Sequence, residues 1–302
     1  MSQPTSLRLY LFSMLVRLAV RSRLGDMRDL AHLKRVFEGA TIPPPRGVRF
    51  RPDRIGGIDG EWAEAGGARP LLYLHGGGFV GCSPRTHRAL TGGFALRGFR
   101  VFAPDYRLAP AHPFPAAVDD AVAAWRGFSR QVDGQAVLAG DSAGGALALS
   151  LALIVKNEPR APAAAALFSP ATDLTGASES WRSNKHRDAM FTDKLANLGE
   201  FYLKGADPRD PRASPLFGEL RDLPPLLFHV GESELLRDDS VRFVQAARAV
   251  GVRAELKVWR GAPHVWQFLH GFVPEARRSL DEAAAFLAAA LPPSIFDADA
   301  RK

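Results

Sequence analysis

Val137-Leu138-Ala139-Gly140-Asp141-Ser142-Ala143-Gly144-Gly145 is the stretch on which the reading of this chain turns. The apolar run Ala136 to Ala139 predicts a strand, the Ala/Leu-rich run from Ala143 to about Lys156 predicts a helix, and Gly-X-Ser-X-Gly stands between them. A turn that passes directly from strand to helix forces its central residue into a strained backbone conformation, so positions 140 and 144 must be free of bulky side chains. Ser142 is thereby presented above the end of a sheet as a nucleophile. Gly-X-Ser-X-Gly also arises by chance as a plain turn, so partners elsewhere in the chain decide its meaning.

Working outward, strands are predicted at Arg69 to Leu74, Arg100 to Ala103, Ala163 to Phe168, Pro225 to Val230 and Ala254 to Trp259. Helices are predicted between them at Pro84 to Arg97, Ala116 to Phe128, Leu235 to Val250 and Pro274 to Leu291. Two further short strands fall between Gly47 and Ala65, broken by Gly56-Gly57 and Gly60. This alternation is the pattern of an α/β fold with a mostly parallel sheet and helices on both faces. Near-continuous apolar runs such as Leu226-Leu227-Phe228 suit strands buried on both sides. Two segments stand outside the repeat. Residues 1 to about 45 read as helical, with Leu9, Phe12, Leu15 and Leu18 on one apolar stripe, and end at Pro43-Pro44-Pro45. Residues about 173 to 220 form a long insertion before the Pro224-Pro225 strand. Both are expected to cover the C-terminal edge of the sheet, where open α/β folds bind ligands. Trp181, Met190, Phe191, Phe201 and Tyr202 offer apolar surface there.

The 302 residues are 46% hydrophobic, enough for a large core, and carry a net charge of +7. The arginines are scattered, with no basic run or nucleic-acid-binding signature, so no nucleic-acid partner is expected. The single cysteine, Cys82, excludes an internal disulfide and lacks any elbow context, so it reads as a small buried filler. No Cys/His cluster has metal-ligand spacing. Leu7 to Leu24 is apolar, but Arg8, Arg17, Arg21 and Arg23 interrupt it and no small-residue cleavage site follows. Neither a signal peptide nor a membrane span fits, and a cytoplasmic protein without stable membrane insertion is expected.

Upstream of the elbow, the strand Pro70 to Leu74 runs into His75-Gly76-Gly77-Gly78-Phe79. Consecutive glycines leave backbone N–H groups unshielded, and those of Gly77 and Gly78 can point at a developing oxyanion. The N–H of Ala143, next to the nucleophile, is a third donor.

These two motifs, with Asp105-Tyr106-Arg107-Leu108-Ala109-Pro110 and its continuation His112-Pro113-Phe114-Pro115, resemble the hormone-sensitive-lipase-like carboxylesterases of the α/β-hydrolase fold, bacterial branch. The resemblance extends through Ser169-Pro170 and the Gly231 to Trp266 region, nearly everything after residue 45. It implies an eight-stranded, mostly parallel sheet with a helical cap: an N-terminal cap segment at 1–45, and a catalytic domain at 46–302 carrying a cap insertion at about 173–220. It also implies a serine hydrolase of short to medium acyl esters, with small lactones or acetylated metabolites as variants. Such an enzyme needs no cofactor, takes a small-molecule ester as partner, and is a monomer or a homodimer, the latter through pairing of the edge strand Ala254 to Trp259.

In this fold the triad runs Ser, acid, His. His264, in Gly261-Ala262-Pro263-His264-Val265-Trp266, follows the last strand and is the expected base. His229 lies inside a strand, His112 in a structural motif, and His75 helps hold the glycine loop. Similar proteins carry Asp-Pro-Leu-Arg-Asp with the first Asp catalytic; in register, Glu234-Leu235-Leu236-Arg237-Asp238 matches it, making Glu234 the acid, with Asp238 and Glu232 as alternatives. Glu is one methylene longer than Asp, yet either carboxylate can orient an imidazole. Asp238 is expected to cap or pair at a helix start. Asp141 and the pair Asp105/Arg107 are expected to form an ion-pair network bracing the elbow and glycine loops. The family also resembles plant hormone receptors that have lost the triad histidine, but His264 is present here. A basic N-terminal helix docking on lipid, as in a membrane-peripheral lipase, is a further expectation open to test.

Overall fold

The structure is a computed structural model that describes residues 5–24, 27, 29–39 and 41–292; of the expected 1–45 and 46–302 spans, the remaining positions lie outside the described residues. Eight strands form one sheet: β1 (Arg49–Ile55), β2 (Ile58–Glu64), β3 (Arg69–Leu74), β4 (Phe99–Pro104), β5 (Val137–Asp141), β6 (Ala165–Phe168), β7 (Leu226–Gly231) and β8 (Ala254–Trp259). Their order is β1-β2-β4-β3-β5-β6-β7-β8. β1 pairs antiparallel with β2, and β2 with β4, and every later pair is parallel. The strand boundaries expected from sequence are met within one or two residues.

Side chains alternate across the sheet. Leu72, Leu74 and Leu138 point into a core shared with Val118, Ala121 and Trp125 of the helix Ala116–Gln131, and with the apolar helix Ser142–Val155. Leu71, Tyr73, Val137 and Ala139 point the other way, against Leu90 and Phe94 of the helix Arg88–Ala95 and Leu280 and Leu287 of the helix Pro274–Ala289. This period-two split is what parallel strands buried on both faces require. The chain leaves β3 toward β4 on one side and returns to β5 on the other, so β3 and β5 flank the switch point of the sheet. A crevice at their C-terminal ends is the expected ligand site of such a fold.

The N-terminal segment is helical over Leu7–Leu15, Val16–Arg21, Ser22–Leu24 and Leu30–Gly39. Its expected stripe is only half right. Leu9 is fully buried against Trp266 and Leu269, but Leu18 is 70% exposed. A stripe stepped by three drifts round a helix that turns about 100° per residue, so Leu15 and Leu18 face outward, Leu18 roughly opposite Leu9, while Val16, on Leu9's face, is buried. No helix among the described residues is long and apolar enough to cross a membrane.

Candidate active site

β5 ends at Asp141 and the next helix starts at Ser142, which holds φ +53°. For a non-glycine residue this left-handed backbone is strained and persists only where its surroundings dictate it. They do so through Gly144: a Cβ there would stand 2.1 Å from the Leu74 carbonyl oxygen and 2.3 Å from that of His75, both backbone. The helix thus presses directly on the end of β3. Gly144→Ala is expected to lower stability by about 3 kcal/mol, because neither obstructing atom can rotate away; thermal unfolding beside wild type measures it, and an unchanged midpoint would contradict the geometry.

Asp141 braces the turn from beneath. Its buried carboxylate accepts from Tyr73 Oη at 2.7 Å and from the Gly76 N–H at 3.1 Å, and His87 Nε2 lies 3.3 Å away. Burial raises the Asp141 pKa, but the charge and hydrogen bond of His87 and the bond from Tyr73 outweigh it and hold it below the usual carboxylate value. Asp141 therefore ties the elbow to the glycine loop as expected, whereas Asp105 and Arg107 do not join it. Both are exposed, and Arg107 instead clamps the buried Asp120 with Nη2–Oδ1 at 2.7 Å. A carboxylate on a neighbouring helix satisfies the guanidinium fork better than one two residues away on an extended strand end.

The glycine loop turns through Gly77 (φ +119°) and Gly78 (φ +62°), and the Gly77 carbonyl accepts from the N–H groups of Val80 and Gly81, both at 3.1 Å. Tyr106 Oη donates to the His75 carbonyl at 2.6 Å and its ring stacks on the His75 imidazole at 4.2 Å. Burial and the nearby charge of His87 push the His75 pKa down to about 3, so His75 is a neutral packing group. Ala143 occupies the first turn of its helix, where N–H groups have no intrahelical acceptor.

His264 lies in the loop after β8, buried, with its Nδ1–H donating to Glu234 Oε2 at 2.7 Å. The other carboxylate oxygen accepts from Ser169 Oγ at 2.8 Å and from the Gly231 N–H at 2.5 Å. Burial disfavours the His264 imidazolium, but the hydrogen bond and charge of Glu234, aided by Asp188 and Asp141, prevail and raise its pKa above the ordinary histidine value. The second nitrogen, Nε2, is buried with no hydrogen-bond partner among the described residues, and His264 and Ser142 line one cavity of about 550 Å³. Asp238 sits in the first turn of the helix Arg237–Ala249, where it accepts from the Ser180 N–H at 2.9 Å and pairs with Arg237 at 2.7 Å. Glu232 is likewise absent from the partners of His264, its N–H being used on the Trp259 carbonyl.

The sequence did not reveal the residues that hold the acid loop. Asn184 Nδ2 donates to the Glu234 carbonyl at 2.9 Å, and Asp188 Oδ2 accepts from the Leu235 N–H at 2.7 Å. Asp188 Oδ1 also accepts from Met190 and Phe191 N–H, its carbonyl accepts from Arg21, and Phe191 meets the His264 ring edge-on at 4.7 Å. The 173–220 insertion is thus bonded to the acid loop, the N-terminal helices and the imidazole together. Of its expected apolar surface, Met190 and Phe191 line the large cavity and Trp181 a smaller one. Tyr202 instead stacks on Phe79 at 3.8 Å, and Phe201 packs against the main core. Cys82 is a half-buried part of the large cavity's wall and not a core filler; burial of its sulfur pushes its pKa up to about 12, which leaves it a poor nucleophile. Among the described residues no cluster of His, Cys, Asp and Glu is arranged to hold a metal ion.

The arrangement sets a serine on a strained turn and an imidazole held by a buried carboxylate on one cavity wall, beside the glycine loop, a grouping suited to acyl transfer. Comparison with known proteins agrees. The profile of a family described as having the alpha/beta hydrolase fold matches residues 71–268. An acetyl-hydrolase of Streptomyces hygroscopicus is 38% identical over 90% of this chain and 93% of its own length. An esterase of Acinetobacter venetianus is 37% identical over 79% of this chain and 82% of its own. Among solved structures, EstE5 superposes with a TM-score of 0.89 at 33% identity, covering 94% of this chain and 99% of its own. An esterase from the bacterial hormone-sensitive lipase family does so with a TM-score of 0.87 at 34% identity, covering 96% and 100%. The chain belongs to the α/β-hydrolase-fold family, within its bacterial hormone-sensitive-lipase-like branch.

Proposed function

We propose that this protein is a serine carboxylic-ester hydrolase in which Ser142 is the nucleophile, His264 the base and Glu234 the acid. Ser142 Oγ attacks the ester carbonyl as its proton passes to His264 Nε2; the N–H groups of Gly77, Gly78 and Ala143 receive the oxyanion; the alcohol leaves with the proton; and water releases the acyl group by the reverse path. Glu234 holds the tautomer with Nε2 free and stabilises the imidazolium. The observation that carries this reading is the buried 2.7 Å bond between His264 and Glu234, on the wall of the cavity that also exposes Ser142. The names of two relatives, an acetyl-hydrolase and an esterase, support it. Residues 1–45 and 173–220 are the cap segments of this reading, and short to medium acyl esters are its substrates.

The experiment is a p-nitrophenyl ester series from acetate to palmitate. Activity is expected to peak at short chains, and absence of turnover on every member would overturn the reading. The pH profile adds a second expectation. His264 must be neutral to accept a proton, and its pKa lies above the ordinary value of 6.5, so kcat/KM should fall as pH drops through a point above 6.5. In Glu234→Gln the largest opposing charge is gone and only the lesser contributions of Asp188 and Asp141 remain against burial, so the acidic limb should move to lower pH. A limb that stays in place would mean that Glu234 does not act on the imidazole.

A further inference from the structure

Two cavities meet at Ser142, and they differ in volume: about 550 Å³ on one side and about 70 Å³ on the other. Gly78 and Ser142 line both, and Leu195 and Leu198 form the partition between them. The large one is walled by Phe12, Val16, Phe37, Met190 and Phe191, and it alone includes His264. The small one is walled by Ala143, Ala171, Leu174, Trp181 and Leu236.

The chemistry says which part of an ester goes where. In the tetrahedral intermediate the former carbonyl carbon carries Ser142 Oγ, the oxyanion, the alkoxy oxygen and the acyl chain. Collapse breaks the bond to the alkoxy oxygen, which takes the proton that His264 Nε2 received from Ser142. The alkoxy group must therefore lie on the imidazole's side, which is the large cavity. The oxyanion is turned to the donors of Gly77, Gly78 and Ala143, and the remaining direction, past Ala143, leads into the small cavity. At roughly 10–15 Å³ for each water-sized group, a volume of about 70 Å³ holds about five to seven such groups. The large cavity falls in the range that encloses a whole drug-sized ligand.

We propose that the substrate is divided unequally across Ser142: an acyl group of at most about four carbons in the small cavity, and a long or bulky apolar alcohol in the large one. The inference rests on the serine-esterase reading above and adds to it that the apolar bulk belongs to the alcohol. An enzyme built this way removes acetyl-sized groups from apolar alcohols and rejects fatty-acyl esters of small alcohols.

Octyl acetate and ethyl octanoate have the same atoms with acyl and alcohol exchanged, so they isolate the question. Acid release by the purified full-length protein should give kcat/KM for octyl acetate at least ~100-fold above that for ethyl octanoate, since several methylenes find no space in the small cavity. Trp181→Ala and Leu174→Ala, which open the small cavity at two positions of its wall, should each narrow the ratio by about tenfold by raising turnover of ethyl octanoate. Equal rates for the isomers, or faster ethyl octanoate, would overturn the proposal. So would failure on both isomers by an enzyme that still turns over p-nitrophenyl acetate, an outcome that leaves the esterase reading intact. Failure on p-nitrophenyl acetate as well would remove the esterase reading itself and the proposal with it.

Discussion

Ser142→Ala is expected to lower kcat on p-nitrophenyl acetate by on the order of a millionfold, to the level left by the backbone donors and the cavity alone. The size follows from the role: without Oγ no acyl-enzyme can form, and water attacking in its place is neither positioned nor activated. Stability should move little or rise slightly, because the left-handed backbone at position 142 is strained with serine and alanine alike, and the side chain sits over a cavity and not in the core. The check is kcat together with the midpoint of thermal unfolding. Lost activity with a preserved midpoint separates a chemical role from a folding defect.

The second large effect discriminates between neighbouring carboxylates. Glu234→Ala is expected to reduce kcat by about ten-thousandfold, because His264 loses the charge that stabilises its imidazolium and the acceptor that fixes its tautomer. Removal of a buried hydrogen-bonded carboxylate also leaves Ser169 Oγ and the Gly231 N–H without their acceptor, so some stability goes too, about 2–3 kcal/mol. Asp238→Ala should change kcat by less than about threefold and cost about 1 kcal/mol, since it only anchors Ser180 and pairs with Arg237 at a helix start. The reverse ordering would place the acid on the helix and not on the loop.

How far the sequence carries depends on whether the determining contacts are local. The elbow is legible because its pattern falls within five residues, Gly140 to Gly144, even though the atoms that exclude side chains at its glycines include the carbonyls of Leu74 and His75 at the end of β3. Glu234 is legible through register with a known pattern, and β7 followed by a short turn places it where a longer carboxylate can reach His264. His87 is different. It stands in an unremarkable Thr86-His87-Arg88 segment, and only the folding of its turn beneath β3 and β5 brings it to Asp141. Asn184 and Asp188 lie in an insertion whose irregular backbone has no periodicity to read, and their bonds to the acid loop span about fifty residues of chain, an order typical of long-range contacts. Arg107 pairs with Asp120 on a helix one turn into the next element, where Asp105 was the nearer choice in sequence. The N-terminal stripe fails because its members stand three residues apart, a spacing that drifts off one face of an α-helix: Leu15 and Leu18 have turned outward while Val16 is buried.

These long-range contacts also tie residues 173–220 to the N-terminal helices. Asp188 joins the insertion to the acid loop and, through its carbonyl, to Arg21 of the N-terminal helices, so the walls of the large cavity and the orientation of His264 are set by one set of bonds. A change in either covering segment is therefore expected to reach the chemistry as well as substrate fit.

Covalent labelling asks whether Ser142 is the one activated nucleophile. The protein is incubated with diethyl p-nitrophenyl phosphate, which phosphorylates activated serines, and then digested and mapped by mass spectrometry while residual esterase activity is followed. A single diethylphosphoryl group is expected on the peptide containing Ser142, with activity lost in proportion to its occupancy and no labelling in His264→Ala. Full loss of activity with the label on another residue, Cys82 included, or undiminished activity with Ser142 fully labelled, would contradict it.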